Sequence, residues 1–178
     1  ATAPARRRVL VLDGAHGDWV PPSFEVVPQV AGDLAERLAG AFALVDGPTF
    51  LVGSDTPQLT VDDLWAQVGA DDGSDAVIGL CEDGGFWGIG MRRPCPAVFE
   101  GVPMSTDRTG VIQRDALWRN GFSVRELRVL RDVDTMADAR AVAALASGTR
   151  FAVTMNRLQP GGGALGTCLP AAVPASMA

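Results

Sequence analysis

Thr49-Phe50-Leu51-Val52-Gly53 runs without a break into Ser54-Asp55-Thr56-Pro57, and this junction decides the fold. An uninterrupted apolar run of this length is a strand of the kind buried on both faces. Pro57 blocks an immediate helix, and Thr60 with Asp63 offers a capping start for one reaching Val68. A strand that ends in a polar turn and then feeds a helix is the unit of an α/β sheet. The neighbouring segments repeat it. Upstream, Val9–Asp13 and Phe24–Pro28 are extended, joined by the Gly- and Pro-rich loop 14–22. Asp33 then caps a helix to about Leu44 with Leu34, Leu38, Ala41, Phe42 and Val45 on one face, stopped by Gly47-Pro48. Downstream, Asp75–Leu80 and Phe86–Met91 are strands around the loop Cys81-Glu82-Asp83-Gly84-Gly85. A helix from about Arg108 to Asn120 ends at Gly121, Ser123–Val129 is a further strand, and Thr135 caps a final helix through Ala146. Residues 159–178, rich in Gly, Pro and Ala, are expected to be a flexible tail.

Strand–helix alternation implies a mostly parallel sheet covered by helices, and such sheets bind ligands in the loops that follow strand ends. With 178 residues the chain fits one domain able to bury roughly 70% of its unfolded surface. The balance of 47% apolar and 20% charged residues is that of a globular protein, not a disordered one.

What the chain lacks narrows its chemistry. It has no Lys, so all 15 basic residues are Arg; a Walker phosphate loop, a pyridoxal enzyme and a Schiff-base aldolase are thereby excluded. His16 is the only histidine, which argues against a His-based triad or a His-rich metal centre. Cys81, Cys95 and Cys168 are odd in number and far apart, and read as free thiols in a reducing, cytoplasmic compartment. A net charge of −6 and the lack of an apolar run near 18 residues point away from nucleic acid and from membranes. An acidic protein still binds nucleotides when a divalent cation bridges its carboxylates to the phosphates.

Three strand-end loops carry candidate chemistry. Asp55 directly follows a buried strand and can hold Mg2+ or Mn2+ through oxygen, although the same residue equally serves as an Asx turn. Asp132 and Asp134 are two apart, so in extended chain they face the same way and can converge on one cation; Asp134 and Thr135 also suit helix capping. The phosphatase signature D-x-D-x-[TV] fails, because its fifth position is Met136. Glu82-Asp83-Gly84-Gly85 joins possible bases to glycines that permit close backbone approach, and is also an ordinary tight turn. Gly85 to Gly90 lacks the G-x-G-x-x-G spacing and reads as a glycine-containing strand beside a crevice. Trp19, Trp65, Trp87 and Trp118 are scattered, as packing residues are.

Taken in order, Gly32-Asp33-Leu34-Ala35-Glu36-Arg37-Leu38, Gly53-Ser54-Asp55-Thr56-Pro57, Glu82-Asp83-Gly84-Gly85-Phe86-Trp87, Ser105-Thr106 and Asp132-Val133-Asp134-Thr135 resemble one family. It is the small bacterial GT-A-fold family of arsenosugar-biosynthesis-type glycosyltransferases, similar in fold to molybdopterin guanylyltransferase and other nucleotidyltransferases. The likeness spans roughly residues 6 to 158. It implies a three-layer α/β/α domain of nucleotide-diphospho-sugar transferase type. It further implies Asp55, Asp132 and Asp134 as metal ligands and Asp55 and Asp83 as catalytic residues. Gly32, Asp33, Arg37, Ser54, Glu82, Gly84, Gly85, Ser105 and Thr106 would line the pocket. The partners would be a nucleotide-sugar or nucleotide and a small-molecule acceptor. Family members open with a strand and a basic Gly-Pro loop; here Val9–Asp13 corresponds to their second strand, so about one strand–helix unit is expected to be missing. Two other readings stay open: nucleotidyl transfer of the molybdopterin guanylyltransferase type, and a non-catalytic remnant acting as a binding module.

Overall fold

A computed structural model describes residues 5–65 and 73–158. The expected tail 159–178, the end of the helix drawn to Val68 and Cys168 lie outside the described residues. Eleven elements follow in chain order: β1 (Val9–Leu12), β2 (Glu25–Pro28), α1 (Leu34–Phe42), β3 (Thr49–Val52), α2 (Val61–Trp65), β4 (Ala76–Leu80), β5 (Phe86–Met91), α3 (Thr109–Arg119), β6 (Val124–Glu126), α4 (Met136–Leu145) and α5 (Arg150–Leu158). No helix among the described residues is long and apolar enough to cross a membrane.

The fold is α/β. β1 and β2 form a two-stranded parallel sheet, while β3, β5, β4 and β6 form a four-stranded one in that order. β5 runs antiparallel to both β3 and β4, and β6 runs parallel to β4, so three of the four strands share one direction. The exception arises from the five-residue loop 81–85, which is long enough only for a hairpin, not for a crossover helix. The three codirectional strands β3, β4 and β6 therefore deliver their carboxyl ends to the same edge.

β3 departs from expectation. Among the described residues it pairs only with β5, and it is half-buried along most of its length, with Val52 40% exposed, where its apolar run suggested burial on both faces. Being apolar makes a strand compatible with a central place; pairing decides whether it has one.

The core follows the two-residue alternation of the strands. Ala76 and Ile78 of β4 and Ile89 and Met91 of β5 meet Phe42 of α1, Leu117 of α3, and Val98 and Phe99 of the 3-10 turn Pro96–Phe99. The Phe42 and Phe99 rings lie 5.4 Å apart at 43°; burying each such side chain is worth roughly 2–3 kcal/mol. The inward face of α1 comprises Ala35, Leu38, Ala39 and Phe42, whereas Leu34, assigned to that face from its spacing, is 45% exposed at the first turn. Asp33 begins α1 with a reciprocal capping box: its side chain accepts the Glu36 N–H, and Glu36 accepts its own.

On the other sheet face, Trp87 governs the packing. A β-bulge lies between Gly79 and Leu80, where Gly79 faces Gly88 but Leu80 faces Phe86. Trp87 is the extra residue, and the bulge turns its ring onto the face away from Phe42. The ring occupies the space above Gly79, where a Cβ would come within 2.1 Å of it. Its indole Nε1 donates to the Arg128 carbonyl at 3.0 Å, and it meets Phe50 edge-on at 6.0 Å. Trp87, Cys81 and Leu130 form the small core here, with Phe50, Leu59 and Leu127 around it. Two tryptophans correct the packing expectation: Trp19 is 63% exposed, and Trp118 is 49% exposed beneath the Arg114 guanidinium, 4.6 Å from the ring centre; the side chain of Trp65 lies outside the described residues.

α4 is capped by Thr135 with Asp138, as its sequence suggests, but it is not the last helix. α5 follows, its first turn held where Thr149 Oγ1 accepts the Ala152 N–H, and it packs Ala152 and Met155 against Ala139 and Ala143 of α4.

Candidate functional site

The three loops that leave β3, β4 and the β6 segment meet at one sheet edge. Beyond β6 the chain keeps following β4: the Leu127 N–H donates to Ile78 O, the Leu130 N–H to Leu80 O, and the Glu82 N–H to Leu130 O. Three residues advance along one strand against two on the other, so regular pairing stops at Glu126 and resumes as a single bridge between Cys81 and Leu130. This is why the strand expected through Val129 is shorter. The next peptide extends the connection to β3, where the Val133 N–H donates to the Asp55 carbonyl at 3.0 Å. Asp55 is thereby fixed against the residue that separates Asp132 from Asp134. Gly53 makes room for it, since a Cβ there would lie 2.8 Å from Asp55 Oδ1.

The result is a concentration of negative charge. A carboxylate oxygen of Asp83, one of Asp132 and the Cys81 sulfur all lie within 4.8 Å of one another. Asp132 is partly buried; burial pushes its carboxyl above the ordinary range, and the charges of Asp83, Asp134 and Asp55 add to the rise. The same carboxylates act on Cys81, whose thiol is pushed up to about 12, chiefly by burial and then by Asp132, Asp83, Asp55 and Asp134. Three further acids thus act on Asp132. Oxygen donors gathered in this way suit a hard dication such as Mg2+ or Mn2+, and Cys81 adds a softer donor. The loop carrying Asp55 also holds two orphaned polar atoms, the buried Thr56 Oγ1 and Gln58 Oε1, neither with a hydrogen-bond partner.

The rim is more settled. Glu82 is ion-paired to Arg131 at 2.7 Å, and Arg131 also reaches Asp138 at 3.9 Å. Gln58 Nε2 donates to the Arg131 carbonyl, tying the β3 loop to the same segment. Asp83 Oδ1 accepts the Gly85 N–H at 2.8 Å, which closes an Asx turn.

The glycines of this loop serve packing. Gly84 has φ +94°, and a Cβ on it would fall 1.9 Å from the Asp107 carbonyl oxygen; the Gly110 N–H donates to Gly84 O at 2.8 Å. Gly84, and Gly110 facing it with a Cβ that would fall 2.4 Å from Gly85 O, thus let the loop seat on the start of α3. Ser105, with φ +59°, and Thr106 belong to the exposed turn before that helix, where Thr106 Oγ1 accepts the Arg108 N–H. Ser54 is exposed beside Asp55. Gly32, Asp33 and Arg37 lie at the start of α1, and their partners are local. Asp33 is occupied as a cap, and Arg37 donates to Gly32 O and Gln29 Oε1 and faces Asp13 at 3.8 Å.

Cys81, read from the sequence only as a free thiol, and Arg131 are not among the candidate site residues that the sequence suggests. For Cys81 the available signal was its place as the first residue after a strand, immediately before the acidic loop. Arg131 had only its position next to Asp132.

Residues 2–106 match a family described as "Uncharacterized protein conserved in bacteria (DUF2064)". A search of curated proteins finds no match. Among solved structures, the chain is similar to a "putative nucleotide-diphospho-sugar transferase" from Desulfovibrio desulfuricans G20, with 26% identity and a TM-score of 0.67. The likeness covers 80% of this chain and 67% of that one.

Proposed function

The chain belongs to the DUF2064 family of bacterial proteins, and from that premise we propose that it is a metal-dependent glycosyltransferase-like protein using a nucleotide-sugar donor. One observation carries the reading: Asp83 and Asp132 bring carboxylate oxygens within 4.8 Å of each other, and the strand-end loops also place Asp55 and Asp134 near enough for their charges to act on Asp132. Donor sets of this kind take a divalent cation. The similar Desulfovibrio fold supports a nucleotide-sugar as the partner.

In this reading Asp55, Asp132 and Asp134 hold Mg2+ or Mn2+. When bound, the ion supplies charge neutralisation for the departing diphosphate. The acceptor oxygen forms a bond to the anomeric carbon, the bond from that carbon to the diphosphate breaks, and the acceptor proton passes to a carboxylate. Asp83 is the candidate for that base, because Glu82 is held by Arg131. Arg131 stands at the rim, where its guanidinium could turn from Glu82 to a phosphate. Ser54, Ser105 and Thr106 would shape the pocket, whereas Gly84 is taken up by packing on α3. Asp33 and Arg37 are left to the structure of α1.

Calorimetric titration with nucleoside diphosphates and with UDP- and GDP-sugars, with and without Mn2+, tests the proposal. Heat that requires Mn2+ and disappears in Asp55→Asn supports it. No Mn2+-dependent heat from folded protein overturns it in favour of a non-catalytic binding module.

A further inference from the structure

We infer that the Cys81 sulfur is a ligand of the same ion, so that the centre combines thiolate with carboxylates and prefers a thiophilic dication of the Zn2+ or Co2+ kind to Mg2+. The inference rests on the reading of a cation at the strand ends and adds what that reading lacks, the selectivity of the site.

Cys81 is only 7% exposed, and its main chain is fixed on both sides: its N–H donates to Gly85 O at 3.0 Å, and its carbonyl accepts the Gly84 N–H at 3.2 Å. A buried cysteine beside Trp87 and Leu130 would ordinarily be a small apolar filler. Its surroundings are not those of a filler. The sulfur lies within 4.8 Å of oxygens from both Asp83 and Asp132, and Asp55 and Asp134 also act on it electrostatically. The thiol, 7% exposed and with no side-chain hydrogen bond among the described residues, is therefore set among carboxylates that it does nothing to neutralise.

Two ligands of one Zn2+-sized ion, at about 2.3 Å for sulfur and about 2.0–2.2 Å for oxygen, stand no more than about 4.5 Å apart. The Cys81 sulfur and the Asp132 oxygen, within 4.8 Å of each other, stand close to that limit, while Asp83 is left as the base. On binding, the S–H bond breaks, its proton leaves to solvent, and a metal–sulfur bond forms without a change of oxidation state. Thiolate favours Zn2+ and Co2+ over Mg2+ by a wider margin than an all-oxygen site does.

The test is titration of the purified chain with Co2+, followed by near-ultraviolet absorption and by calorimetry in parallel. Sulfur-to-cobalt charge-transfer absorption is expected to rise and saturate at one ion per chain. It should persist in Cys95→Ser and vanish in Cys81→Ser and Cys81→Ala, with circular dichroism showing each variant folded. Competition should show Zn2+ preferred to Mg2+, with the preference reduced more than about tenfold in Cys81→Ser. Co2+ heat that is lost in Asp132→Asn but comes without charge-transfer absorption would overturn the sulfur ligand and leave the proposed function standing. An absorption band that survives in Cys81→Ser would likewise overturn it, by assigning the sulfur elsewhere. No Co2+ binding at all would overturn both.

Discussion

Two groups of acids hold the segment 128–134, and they are opposites. Asp63, nearly buried at the start of α2, accepts the Arg128 guanidinium, with Nη2 at 2.7 Å from Oδ2, and also the Thr60 N–H at 2.7 Å. That arrangement holds its carboxyl down to about 2, chiefly through the hydrogen bond from Arg128. A few residues on, Asp132 is pushed the other way, by burial and by three further acids. One group has a built-in counter-charge and is structural. The other has carboxylates in excess, the arrangement expected where a cation is to be taken up. The difference lies in partners rather than in residue type, which is why letters alone did not separate the two.

The contrast can be broken in order of effect. Asp132→Asn should weaken dication binding at least about 100-fold while leaving the melting temperature of the cation-free protein unchanged or raised, because a repelling charge has gone. Titration calorimetry and thermal melting check this together. Gly84→Ala forces a side chain into the left-handed region and into the Asp107 carbonyl, and should cost about 2–3 kcal/mol by denaturant unfolding, with dication binding weakened as the Asp83 loop lifts from α3.

Asp63→Asn should cost about 1–2 kcal/mol yet change dication affinity less than about twofold. The pH dependence has the same source. Because the folded-state value of Asp63 lies below its unfolded value, its contribution is complete above about pH 4 and fades as pH falls towards 2. Melting curves over that window should show a loss that Asp63→Asn no longer shows. Asp33→Ala, at a capping box remote from the acids in its bonding, should cost about 1 kcal/mol with no effect on dication binding.

Local signals were legible in the sequence and long-range ones were not. Asp33, Thr60 and Thr135 each begin a helix as their spacing suggests, since a cap depends on residues three apart. Asp55 could be marked because a carboxylate directly after an apolar strand has few places to go. The role of Cys81 depends on the bulge at Trp87 and on pairing with Leu130, residues far along the chain whose register no local pattern reveals. Gly84 carried a correct local signal, that of close backbone approach, but the approaching backbone is that of Asp107 at the start of α3, not a ligand. α5 escaped because its buried positions pack against α4, a contact set by the turn at Thr149.

The account stands on a single shared ion, and the most direct measurement is a crystal soaked in Mn2+ and examined by anomalous scattering. One strong peak is predicted at the carboxyl ends of β3 and β4, bonded to Asp132 together with Asp55 or Asp134. A protein crystal saturated with Mn2+ that shows no peak there, or shows it on acids that never touch Asp132, would contradict the account.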